Sequence, residues 1–435
     1  MVNLKTLTWE KVAYTAAMFG LGLCSTTVVQ WTLFYYAPPV DLGVTVYLGA
    51  TAVGAAMALG RLVDAWSDPL IGYFSDRTRL RFGRRRPFMA AGIPLFIASF
   101  ILLWFPPAPL PSLPNLVWVA GLLGLFFISF SLYAVPYLAL LPELTRNQGE
   151  RVLMALVQTL WFACGAGVAT LGPPLLVGIV EFPHLPILWA AMAVLSLGLP
   201  VVAVKEYSRR SPVPTATSPG QVWRSLRRNR ALLTWAFTLF LAWSGLCVIV
   251  KLIPFLYTFL DFHLVALPWW AIVLGLCIIL AGLLAGYRAT IVYGMRVTFL
   301  YCLTISGLLV LALAAAGFLW LPGSPPVVFW VLALLVMPTA VLPVALQNAV
   351  TAEIAVRHQH LEGVRLEAML FAVQGLAAKL ALATGAISLG FTLDVFGYSP
   401  EGPAGVRAGY ALSGVFLLAA AFRMRRYPHN QQPSR

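Results

Sequence analysis

Residues 60–88 read GRLVDAWSDPLIGYFSDRTRLRFGRRRPF, and they set two aspartates and an arginine into an otherwise apolar span before releasing a run of charge at its end. Asp64 and Asp68 stand one helical turn apart, and Arg61 lies three residues before Asp64. At about 100° per residue all three fall on one narrow helix face. In water this is an ordinary salt-bridged stripe. In a helix that crosses lipid, ionisable groups are costly and mark an ion or substrate pathway. The rest of the chain decides which solvent applies.

The 435 residues are 60% hydrophobic and 10% charged, against about 25% charge in a soluble domain. The chain therefore reads as an integral membrane protein. A net charge of +14 would suggest nucleic acid in a soluble chain. Here nearly all Lys and Arg fall in alternate connecting loops, the positive-inside pattern. Nucleic acid is thus excluded as a partner, and the lipid bilayer is expected instead. Cys24, Cys164, Cys247, Cys277 and Cys302 all lie in predicted spans without paired spacing, and read as small apolar packing residues. The start, MVNLKTLTWEKV, lacks the regions of a signal peptide, so the first span is expected to insert directly.

A helix needs roughly 20 apolar residues to cross the hydrocarbon core. That ruler predicts twelve spans, near 12–36, 43–72, 87–105, 115–142, 152–180, 186–204, 231–260, 266–287, 297–320, 327–350, 365–393 and 405–422. The loops holding Arg77 to Arg86, Arg146 and Arg151, Lys205 to Arg230, Arg288 and Arg296, Arg357 and the tail lie on one side. Asp41, Glu181, Asp261, Asp394 and Glu401, with only Arg407 positive, lie on the other. Both termini are expected in the cytoplasm, in a plasma or inner membrane. The polar stretch 205–230 reads as a cytoplasmic linker between a six-helix bundle at 1–204 and another at 231–423, with a cytoplasmic tail at 424–435. A faint echo supports related halves: GYFSDRTRLRFGRRR follows span two and GYRATIVYGMR follows span eight. Parallel repeats about an axis along the membrane normal build twelve-span transporters in this way.

The stretch GYFSDRTRLRFGRRRPF resembles the loop between helices two and three of major facilitator transporters. DAWSDP is similar to the helix-two signature of the glycoside–pentoside–hexuronide cation symporters, the melibiose permease group. RFGRRRPFMAAG is also similar to the same loop of plant sucrose–proton symporters. In the second half, TAEIAVRHQHLEGVRLEAMLFAVQGLAAK resembles the family's connection between helices ten and eleven, with Glu353, Arg365, Glu367 and Lys379 at the matching positions. FGYSP at 396–400 resembles the close of helix eleven. The resemblance implies an all-α integral membrane protein with the major facilitator fold: two six-helix bundles around a cavity that alternates its access, functioning as a monomer. Two departures stand out. Sugar-transporting bacterial members carry acids in helices one and four that hold the sugar hydroxyls, and here Gly22 and Ala134 fall at those places. The helix-five arginine of that site is replaced by Thr159 or a neighbour.

Asp64 and Asp68 together suit a cation, since hard cations prefer oxygen ligands. Two carboxylates this close also repel, so a proton could take a metal ion's place. The resemblance adds Ser67 and Ser131 as neutral oxygen donors. The other reading pairs both acids with Arg61 as a lock between helices. Arg61 itself reads as a counter-charge, and Asp76, Arg77 and Arg79 as a gate latch and topology anchor at the cytoplasmic end. Lys379 and Gln374 in span eleven match the family pattern and are candidates for substrate binding. So are Lys251, which either lines the cavity or reaches the interface, and Trp31, Tyr133 and Trp161, in spans that line the cavity in this family. The five histidines lie in loops or the tail, and no metal site beyond a possible Na⁺ is expected. No phosphate-binding loop is present, nor any grouping of nucleophile, base and orienting acid. The expected function is cation-coupled symport, driven by Na⁺ or H⁺ without a cofactor, with a small sugar or glycoside as cargo. The alternatives are symport of a lysophospholipid or an anionic metabolite, and a transport-inactive assembly or scaffold protein.

Overall fold

The computed structural model describes residues 8–39, 43–78, 83, 85–145, 148–176, 181–204, 229–259, 269–316, 327–362, 367–399 and 403–427. These form twelve α-helices: α1 (Trp9–Tyr36), α2 (Ala50–Arg77), α3 (Arg86–Leu102), α4 (Leu113–Leu144), α5 (Gln148–Leu176), α6 (Leu185–Ala203), α7 (Arg230–Phe259), α8 (Trp269–Tyr293), α9 (Met295–Ala316), α10 (Val327–Glu362), α11 (Glu367–Phe396) and α12 (Ala404–Met424). Among the described residues nine stretches are long and apolar enough to cross a membrane. The protein is a multi-pass membrane protein. α2 is not one of the nine, because Arg61, Asp64 and Asp68 interrupt its apolar run.

Helix ends follow local chemistry. α1 stops ahead of Pro38 and Pro39, since the residue before a proline is pushed out of the helical region. α3 and α6 carry proline in their first turn, where the missing N–H is not needed. Gly294, at φ +83°, takes the left-handed conformation that splits α8 from α9. Two boundaries differ from the span ruler. α2 begins at Ala50 rather than near 43, after an extended segment. α10 runs on to Glu362, because TAEIAVRHQHLE contains neither Gly nor Pro and continues the helix beyond its apolar part.

The chain divides into two compact units, Met1–Pro212 and Val213–Arg435. Most of the linker expected at 205–230 lies outside the described residues, as does the tail beyond Tyr427. In the first unit α1 packs on α5 and α6, α2 on α4, and α3 on α4 and α6. In the second unit α7 packs on α11 and α12, α8 on α10, and α9 on α10 and α12. The two packing schemes match helix for helix, six positions apart. Small residues allow the closest crossings, as in membrane helix pairs generally. A Cβ on Gly22 of α1 would lie 2.5 Å from the Phe162 carbonyl oxygen of α5, and one on Gly165 of α5 would lie 2.2 Å from that of Phe19. At the equivalent crossing in the second unit, a Cβ on Gly385 of α11 would lie 2.8 Å from the Ser244 oxygen of α7.

Candidate cation site

The α2–α4 contact carries the site. α2 brings Arg61, Asp64, Ser67 and Asp68 to one face, as their spacing requires, and α4 brings Ser131 against them. Asp64 is 2% exposed and Ser131 fully buried. Ser131 Oγ lies 3.1 Å from Asp64 Oδ1 and also bonds Asp68 Oδ1. Ser67 Oγ stands 3.1 Å from Ser131 Oγ and 3.1 Å from the Asp64 carbonyl. Pro69 sits inside α2 and has no N–H, which takes the helical partner away from the Ala65 carbonyl one turn back. Two carboxylates and two hydroxyls thus converge one turn from a backbone carbonyl released from the helix ladder. Oxygen donors of this kind suit Na⁺, and the carboxylates alone suit H⁺.

Arg61 balances part of this charge. Its Nη1 is 3.4 Å from Asp64 Oδ2, and its guanidinium carbon lies 4.1 Å from the centre of the Phe127 ring on α4. Of these three charged side chains, two are negative and one positive. Sequence reasoning did not single out Phe127, although its position four residues before Ser131 puts both on one face of α4.

The remaining candidates lie elsewhere. Trp31 is buried, donates to the Ala169 carbonyl at 2.9 Å and so joins α1 to α5. Tyr133 is fully buried, donates to the Leu197 carbonyl of α6 at 2.8 Å and stacks on Tyr137. Both rings are occupied in helix packing within the first unit. Trp161 is exposed and meets Phe19 edge-on. In the second unit Lys251 of α7 is 2% exposed, which places it inside the packed helices and not at an interface. Gln374 of α11 is tied to Thr351 and Asn348 of α10, and Trp235 of α7 donates to the same Thr351 at 2.8 Å. Lys379 lies half-buried one and a half turns further along α11. Glu353 gathers with Arg357, Arg296 and Tyr427. Burial pushes the Tyr427 phenol up to about 12, and Glu353 adds to the effect, while Arg357 and Arg296 oppose it. Asp76, Arg77 and Glu367 lie on helices, but their side chains are outside what the structure describes, and Arg79 and Arg365 fall outside the described residues.

A bundle of apolar helices with an oxygen-lined ionic stripe suits the passage of ions or solutes across a membrane. The family model described as MFS/sugar transport protein matches residues 13–431, and the chain belongs to that family. It is a transporter, not an enzyme, and the expected membership of the glycoside–pentoside–hexuronide cation symporters is met. The symporter YnaJ of Bacillus subtilis is 25% identical over 95% of this chain and 89% of its own length. Two other relatives match over shorter stretches. The symporter sll1374 of Synechocystis is 32% identical over 32% of this chain and 26% of its own length. The isoprimeverose transporter of Lactiplantibacillus pentosus is 24% identical over 54% of this chain and 50% of its own length. The crystal structure of a D-xylose–proton symporter superposes with a TM-score of 0.67 at 14% identity, covering 96% of this chain and 97% of that one. Its fold is therefore the fold of this protein. The family works with a small-molecule substrate, a coupling cation and a lipid bilayer.

Proposed function

We propose that this protein couples the passage of a sugar or glycoside to that of Na⁺ or H⁺ by alternating access, with the cation held among Asp64, Asp68, Ser67 and Ser131. The observation that carries this reading is the hydroxyl shared between the two acids. Ser131 has one proton to donate, yet its oxygen stands within hydrogen-bond reach of Asp64, Asp68 and Ser67. One of these oxygen pairs is left without a hydrogen between its members, and a bound cation or an added proton supplies the missing positive charge. A cation that binds one conformation better than another shifts the population toward it and so links the two fluxes. The sugar part of the reading rests on the family description and on relatives such as the isoprimeverose transporter.

Gly22 sits in the α1–α5 crossing, so no acid on α1 can reach a solute from that position. Lys379 is the polar group we assign to the solute instead, with Gln374 holding α11 to α10 beside it. The same reading places both termini in the cytoplasm and has the protein act as a monomer without a cofactor.

The test is Asp68→Asn in proteoliposomes, with uptake of labelled glycosides driven by an imposed Na⁺ or H⁺ gradient. Concentrative uptake is expected to vanish while yield and thermal stability stay near wild type. Accumulation at the wild-type level in Asp68→Asn would overturn the proposal. The gradient that drives the wild-type protein names the coupling ion.

A further inference from the structure

We infer that Phe127 is a positioning residue for the coupling cation: its ring receives the Arg61 guanidinium when the cation takes the guanidinium's place beside Asp64. This rests on the cation site proposed above. Among the partners of Arg61 are the Asp64 carboxylate at 3.4 Å and the face of Phe127 at 4.1 Å. It is therefore a tethered cation already in the site that the mobile cation must enter.

A cation arriving between Asp64 and Asp68 comes within a few ångströms of that guanidinium, and two positive charges so close repel strongly in a site with little water. Arg61 has to withdraw from Asp64. Withdrawal from Asp64 takes a carboxylate partner away from a guanidinium in a largely apolar helix interface, a penalised loss. The negative face of an aromatic ring supplies a partner that is not an acid and so does not itself compete for the mobile cation.

The site is built to keep the ring there. Phe127 is 3% exposed. It lies against the backbone of α2 at Gly60, where an added Cβ would stand 3.0 Å from a ring carbon. Glycine at 60 lets the ring sit flush with the helix that carries Arg61. α4 then supplies the hydroxyl of Ser131 and the ring of Phe127 from one face, one turn apart.

The experiment titrates purified full-length protein with NaCl at constant ionic strength, reading thermal stability. It is repeated by lowering the pH in choline chloride, so that protons serve as the second probe. Phe127→Leu is expected to raise the half-saturating concentration of the effective cation by about 3- to 30-fold, the span of arginine–ring contacts from exposed to desolvated sites. Phe127→Tyr should restore it. In an Arg61→Gln background, Phe127→Leu should have no further effect, because the ring then has no guanidinium to hold. Gly60→Ala, which displaces the ring without removing it, should act in the same direction as Phe127→Leu and serves if that variant is poorly folded.

A cation response lost in Asp68→Asn but unchanged by Phe127→Leu would overturn the inference and leave the cation site standing. So would an effect of Phe127→Leu that persists undiminished in Arg61→Gln, since that would make the ring mere packing. A wild-type protein indifferent to both Na⁺ and protons would overturn the site and the inference together.

Discussion

Two glycines of α5, two residues apart, should respond to alanine in opposite directions. At Gly165 the new Cβ would stand 2.2 Å from the Phe19 carbonyl oxygen and 2.8 Å from the Leu23 nitrogen. Both are backbone atoms of α1 and cannot swing aside. Ordinary contact begins near 3.4 Å, so the two helices must part by roughly 1 Å, in an interior packed too closely to absorb the movement. Overpacking of this kind costs about 1–3 kcal/mol, and alanine's better helix propensity returns about 1 kcal/mol. With clashes this short the upper figure applies, and the net loss is about 2 kcal/mol. For a unit of this size that lowers Tm by about 4–8 °C. At Gly167 nothing stands within 4 Å of the new Cβ, so only the propensity gain remains and Tm should rise by about 2–4 °C. Thermal unfolding of both purified variants beside wild type measures the contrast. Equal shifts, or a Gly165→Ala protein as stable as wild type, would refute the close crossing. The exclusion of an α1 acid from the solute's contacts would fall with it.

Tyr137→Phe removes a phenol that donates to the Tyr14 carbonyl at 2.9 Å and accepts from Gln158 Nε2 at 2.7 Å. Two buried hydrogen bonds are lost, which should destabilise the first unit by about 1–3 kcal/mol, read as a lowered Tm with the cation response intact. Thr351→Val strips the hydroxyl that joins Trp235 to Gln374. A similar loss is expected, together with weakened solute uptake if α11 needs that tie to α10; a fall in Tm without any change in uptake would remove Gln374 from the solute's side of the protein.

Much of this was legible in the sequence because membrane helices state themselves in long apolar runs, and all twelve helices overlap a predicted span. The stripe of Arg61, Asp64 and Asp68 was legible for a similar reason, since helical periodicity alone fixes a shared face. The pairing of α2 with α4 was not, because nothing in the local pattern of either helix names its neighbour. Ser131 could be placed beside the acids only through the family resemblance, and Phe127, without such a match, was one aromatic among many in the apolar spans. Trp31 and Tyr133 illustrate the reverse. They lie in spans that line a cavity in related proteins, but a helix has more than one face, and here their N–H and O–H reach backbone carbonyls of α5 and α6. Lys251 was open between the interface and the interior, because its position along the span does not say which way four methylenes turn.

The second unit provides a control for the acids of the first. Its α8 packs on α10 as α2 packs on α4, so the fold uses the same helix pair twice. Aligning Gly286-Tyr287 with Gly72-Tyr73 sets Ile278 opposite Asp64 and Gly282 opposite Asp68. At Gly282 an added Cβ would stand 2.2 Å from Pro338 of α10, and the pair borders a cleft of about 620 Å³ whose lining includes Ala285, Ala289, Ile305 and Leu342. The helix pair therefore closes without carboxylates at these two positions. Were Asp64 and Asp68 a lock required for α2 to meet α4, the same contact in the second unit would call for a lock of its own, and an ion pair in lipid is an expensive way to join two helices that glycine and proline can join alone. The charge in the first unit is an addition to the fold, and the coupling cation proposed above gives that addition a use.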